Sequence, residues 1–89
     1  MSFTEKQIEQ MRDNWQRSTA KRRSAYERSA NGKAWFFYPC DDHVITVTGR
    51  KGEGWTAILT PMTARNNALC VGTGHTRRHA VESILNRVI

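Results

Sequence analysis

The sequence predicts an α+β fold, a two-layer sandwich with helices on one face of an antiparallel sheet, in the order α-β-β-β-(β)-α. Three observations carry this. Apolar residues recur at helical spacing near both ends, β-branched residues alternate in the middle, and 89 residues leave room for one domain only. A chain of this length buries about 60–65% of its unfolded surface, enough for a modest core.

The first helix has a well-specified start. Thr4 and Gln7 stand at capping-box spacing, and Phe3 and Ile8 occupy the hydrophobic-staple positions around them. Ile8, Met11 and Trp15 form a core face that thins to Thr19, Arg22 and Tyr26, so the spacing predicts a long helix over 5–30 whose second half projects beyond the core. Acidic Glu5, Glu9 and Asp13 come early and Lys21, Arg22, Arg23 and Arg28 late, which suits the helix dipole. "ANGK" then offers Asn31 or Gly32 as a left-handed C-cap.

The period changes over 34–72, the predicted sheet. "AWFFYP" is a continuous apolar run, "HVITVTG" and "WTAILT" alternate, and "GRKGEG" between the latter two reads as a hairpin turn. Pro39 with "CDD" makes the turn between the first two strands, Pro61 stops the third, and "ALCV" is a weaker fourth. Strand alternation sends Trp35 and Phe37 to one face and Phe36 and Tyr38 to the other. "GTG" permits a sharp entry to a last helix over 76–88, capped by Thr76, with Ala80, Val81, Ile84, Leu85 and Val88 as its apolar stripe.

Fourteen Lys and Arg against eight Asp and Glu give a net charge of +6, which favours an acidic partner. No apolar run is long enough to span a membrane and "MSFTEKQIEQ" has no signal-peptide core, so a cytoplasmic protein that does not engage membranes is expected. Cys40 and Cys70 are then expected as free thiols.

The stretch "VGTGHTRRHAVESIL" breaks a local rule. Arg77 and Arg78 sit in the first turn of a helix, where unpaired N–H groups already present positive charge, at a cost of a few tenths to ~1 kcal/mol unless an anion joins them. A phosphate would turn both arginines into ligands. Otherwise they face solvent or pair with an acid such as Glu82. A second basic feature is the run Arg17, Lys21, Ser24 and Arg28, whose spacing puts them on one helix face flanked by Arg22 and Arg23. Arg50 and Lys51 in the hairpin turn make a third.

The pattern Gly72-x-Gly74-x-Thr76-Arg77-Arg78-x-Ala80 resembles the entry to the last helix of double-stranded RNA-binding domains. In that family an α-β-β-β-α chain places adjacent basic residues on phosphates across a groove. The resemblance implies phosphate contacts by Arg77 and Arg78 with Thr76 as the cap. It covers about fifteen residues; Val81 stands where the family commonly has lysine, and "RKGEG" replaces the Gly-Pro-x-His loop between strands.

Cys40, His43, Cys70, His75 and His79 match no standard zinc-finger spacing, so no metal is assigned to them. His75 or His79 beside the arginines could act as a ribonuclease base, yet no second acid, base or nucleophile accompanies either. The sequence therefore points to a non-catalytic, cofactor-free module that binds the phosphate backbone of duplex RNA or DNA. Its contacts would come from Arg77, Arg78, Thr76, Arg17, Lys21, Arg28, Arg50 and Lys51. The competing expectation is a small adaptor or inhibitor, of the sort mobile elements encode, that docks on an acidic protein surface through Trp35, Phe37 and Trp55.

Overall fold

In the computed structural model, which describes residues 3–20 and 26–89 apart from the side chains of Thr19 and Ala20, the capping box forms as the sequence predicts. Gln7 N donates to Thr4 Oγ1 at 3.1 Å and Thr4 N donates to Gln7 Oε1 at 3.0 Å, satisfying donors that open helix α1 (Glu5–Ala20). Met11 is fully buried, and Trp15 meets Phe37 edge-on at 5.3 Å. Phe3 sets its ring against His43 at 5.0 Å, and the Asn14 amide donates to Pro39 O at 2.9 Å. These contacts hold α1 along one strand of the sheet.

The helix does not run to residue 30. Glu27 and Arg28 form a short strand, β1 (Glu27–Arg28), paired with Phe36 and Trp35 of β2 (Ala34–Cys40). "ANGK" is consequently a hairpin turn and not a helix cap: Gly32 adopts φ 72°, Ser29 N donates to Ala34 O at 2.9 Å, and Asn31 Oδ1 accepts from Lys33 N at 3.0 Å. A left-handed glycine beside asparagine serves either purpose, and the strand-forming run that follows decides which.

Strands β3 (His43–Arg50), β4 (Gly54–Pro61) and β5 (Cys70–Gly74) complete a five-stranded antiparallel meander in the order β1-β2-β3-β4-β5. Pro39 lies inside β2 and not in the turn after it. The register shifts between Phe37 and Cys40, so no ladder donor is asked of the proline. Pro61 ends β4 as expected. The weak fourth strand lies later than predicted and absorbs "GTG".

Cross-strand pairing aligns two rows on the inner face, Phe37-Ile45-Leu59-Cys70 and Trp35-Val47-Ala57-Gly72. Helix α2 (Arg77–Val88) buries Ala80, Val81, Ile84 and Leu85 against them, and with Met11 these make one core. Each large aliphatic residue so buried contributes at most about 1.5–3 kcal/mol. Both helices thus cover the same face.

Gly72 and Gly74 have a different purpose from the expected sharp turn. Neither has a positive φ; a Cβ at Gly72 would lie 2.6 Å from Ala80 O and one at Gly74 2.6 Å from Ala80 N. They let the first turn of α2 approach the β5 backbone closely. The outer face carries Thr46, Thr48, Thr56 and Thr73 with Phe36, Tyr38, Ile58 and Val71. The segment joining β4 to β5 bends toward it: Leu69 N donates to Leu59 O at 2.8 Å, and the Arg65 guanidinium lies 5.2 Å from the Phe36 ring centroid. No helix among the described residues is long and apolar enough to cross a membrane.

Candidate nucleic-acid interface

The close seating of α2 on β5 carries Arg77 onto the aromatic end of the inner face. Its guanidinium lies 4.0 Å from the Trp35 ring centroid, 5.4 Å from that of Trp55 and 5.5 Å from that of Tyr26. Arg28 approaches Trp35 as well, at 5.3 Å. Contacts of this kind contribute ~0.5–2 kcal/mol each, most when water is excluded. Burial raises the Tyr26 phenol above its ordinary pKa, with Arg77 acting in the opposite direction.

Beside this stack lies a cleft of about 500 Å³ lined by Arg28, Gly32, Lys33, Trp35, Gly49, Arg50, Lys51 and Trp55. Arg28 comes from β1 and the other cations from two hairpin ends. The β1–β2 turn supplies Lys33 and the β3–β4 turn Arg50 and Lys51; pairing of Ala34 with Thr48 brings the two turns side by side. Gly49 is required between them. Its φ is 151°, and a Cβ there would lie 2.4 Å from Gly54 O and 2.8 Å from Trp55 Cα.

Among the described residues, none of these cations nor Arg77 is in an ion pair; the pair found there joins Arg78 to Glu82 at 2.9 Å. Glu27, the acid next to Arg28, is paired with Phe36 and so belongs to the opposite face. Cationic side chains gathered without carboxylates raise the local potential and attract a counter-anion.

No family model, no curated protein and no solved structure matches this chain. The cleft therefore has to be read from its own chemistry.

Of the residues expected to meet phosphate, Arg28, Arg50 and Lys51 converge on the cleft, and Arg77 stacks on its tryptophans. Arg78 instead takes Glu82, the pairing weighed against phosphate in the sequence. Thr76 is the N-cap of α2, its Oγ1 accepting from His79 N at 3.1 Å. Arg17 is exposed on α1, which contributes nothing to the cleft. Lys21, with Arg22, Arg23 and Ser24, lies outside the described residues. Arg28 belongs to a strand, so it does not share a helix face with Arg17 as expected.

Lys33 is the cleft residue that the sequence reading missed. Its signal was the turn "SANGK" before a strand, which sets it opposite the hairpin cations once the meander is recognised. Among the anchors expected for a protein partner, Phe37 is only 3% exposed and packs in the core, which removes it as a surface anchor. Trp35 and Trp55 are half-buried.

The cysteines and histidines disperse. Cys40 Sγ and His43 Nδ1 lie 3.3 Å apart at the β2–β3 turn, while Cys70 is on β5 and His75 and His79 flank the start of α2. Both cysteines are free thiols, and burial pushes the Cys40 thiol above its ordinary pKa, keeping it protonated. Among the described residues no three metal-binding side chains form a group.

Proposed function

We propose that this protein is a non-catalytic nucleic-acid-binding module that holds a phosphate backbone in the cleft between Trp35 and Trp55. The observation that carries the reading is the convergence of Arg28, Lys33, Arg50 and Lys51 without a carboxylate partner among the described residues. Guanidinium groups grip phosphate oxygens in pairs, ammonium groups supply point charge, and release of condensed counterions drives association. Arg77 strengthens the field while holding the tryptophans in place.

Docking on an acidic protein surface has less support. Phe37 is in the core, and an internal guanidinium already covers Trp35. The resemblance to double-stranded RNA-binding domains favours duplex RNA, with Arg77 and Arg78 acting together; here Arg78 is engaged by Glu82.

Titration of labelled duplex and single-stranded oligonucleotides over a range of salt tests the reading. Four cleft cations engaging phosphate predict a slope of log K against log salt of about −3 to −4, and Arg50→Gln with Lys51→Gln reduces it by about 1.5–2. Binding by the double variant with an unchanged slope would remove the cleft from the interface.

A further inference from the structure

We propose that the nucleic acid enters as an unpaired strand, with one base stacked on Trp55 and the adjoining phosphates in the cationic cleft. The inference rests on the nucleic-acid reading above and adds the form of the ligand.

Trp55 is placed unlike any other aromatic residue of the domain. Its cross-strand partners are Gly49 on β3 and Gly74 on β5, so no side chain of its own row stands beside the indole. It also lines a second cleft, of about 660 Å³, with Gly52, Glu53, Gly54, Thr56, Thr73, Gly74 and His75. Among the described residues Trp55 is the one that lines both clefts, and so divides them.

The two sides differ in chemistry. Among the described residues the first is lined by four cations and no carboxylate, as a sugar-phosphate backbone requires. The second has the Glu53 carboxylate, which repels phosphate, and the His75 imidazole, which hydrogen-bonds a base edge, while its Thr56 and Thr73 belong to the outer-face row. Trp35 is not an equivalent platform, since Arg77 lies 4.0 Å from its centroid and Arg28 5.3 Å. Arg77 is farther from Trp55, at 5.4 Å from its centroid, than from Trp35. A duplex keeps its bases stacked on one another and reaches an indole only by unstacking, whereas a single strand presents them freely.

The test compares ~10-nucleotide single strands of thymidine or uridine, the same backbone carrying abasic sugars, and a duplex of equal length, by anisotropy with wild type, Trp55→Phe and Trp55→Leu. The expected result is that wild type binds the base-bearing strand ~10-fold more tightly than the abasic one. Trp55→Phe keeps most of that preference. Trp55→Leu loses it, its affinities for the base-bearing and abasic strands becoming equal.

Quenching of wild-type tryptophan emission by the base-bearing strand, absent in Trp55→Phe, is the second readout. It does not depend on the leucine variant folding. Equal affinity of wild type for base-bearing and abasic strands overturns the stacking inference and leaves the phosphate reading in place. Salt-dependent binding to none of the ligands overturns the phosphate reading itself.

Discussion

The Arg77 guanidinium lies 4.0 Å from the centroid of the Trp35 ring, so the first turn of α2 and the second residue of β2 are joined by a cation and an aromatic face. Arg77→Ala removes this contact and its packing on Tyr26 and Trp55, and is expected to cost about 1–2 kcal/mol in urea denaturation. Arg77→Lys restores only part, because an ammonium cannot stack as a planar guanidinium does. Arg78→Ala, which breaks an exposed pair, stays within ~0.5 kcal/mol of wild type. A larger loss for Arg78→Ala than for Arg77→Ala would refute this assignment of roles.

Gly49 and Gly52 separate backbone strain from steric clash. Gly52 has φ 88° with no atom within 4 Å of a built Cβ, so Gly52→Ala is expected to cost about 1 kcal/mol from conformation alone. Gly49→Ala adds collision with the Gly54 carbonyl and Trp55 backbone and should cost roughly 2–3 kcal/mol or more. Thermal melts of the two variants rank them. Tryptophan emission, shifted only in Gly49→Ala, would report displacement of Trp55.

Thr76 offers a way to part stability from binding. Thr76→Ala forfeits the bond from His79 N to Oγ1 and should lower the melting temperature by about 4–8 °C, the equivalent of ~1 kcal/mol in a domain this small. Thr76→Asp restores the cap. It also sets a carboxylate next to Arg77, so melting recovers while nucleic-acid affinity falls.

Tyr26 gives the domain a pH dependence on the alkaline side. Burial raises its folded-state pKa above 10.0, so the neutral phenol is the form the fold favours. Below 10.0 it is neutral in both states and costs nothing; as pH rises past 10.0 the unfolded chain releases the proton first, and stability falls until the folded pKa is reached. Tyr26→Phe removes this contribution. The gap between the urea midpoints of wild type and variant should therefore shift in favour of the variant above pH 10, and a constant gap would exclude the linkage.

Much of this architecture is legible in short stretches of sequence. Thr4 and Gln7 specify the start of α1, the alternation in "AWFFYP" separates Phe37 from Tyr38, and the spacing of Ala80, Val81, Ile84 and Leu85 marks the face of α2. Each depends on neighbours within one turn or one strand. The errors lie where local signals serve two structures. Asn31 and Gly32 suit a helix end as well as a hairpin, and that ambiguity carried Arg28 onto a helix instead of into β1. The double glycine of "GTG" suggested a turn, but the closeness of Ala80 that requires it is a tertiary contact. The cleft was half visible, in Arg28, Arg50 and Lys51; their meeting with Lys33 and the tryptophans depends on strand register, which no single segment encodes.

The meander pairs each strand with its sequence neighbour, so the sheet needs no crossover and can assemble from short-range closures. Yet the face that this assembly creates is apolar, and α2, made after every strand, covers much of it. During synthesis the pairing can run ahead of the burial that stabilises it. The domain becomes secure only once residues 77–88 have left the ribosome and docked, and the same event delivers Arg77 to Trp35 and Trp55. A nascent chain would thus gain its core and its arranged tryptophans in a single step.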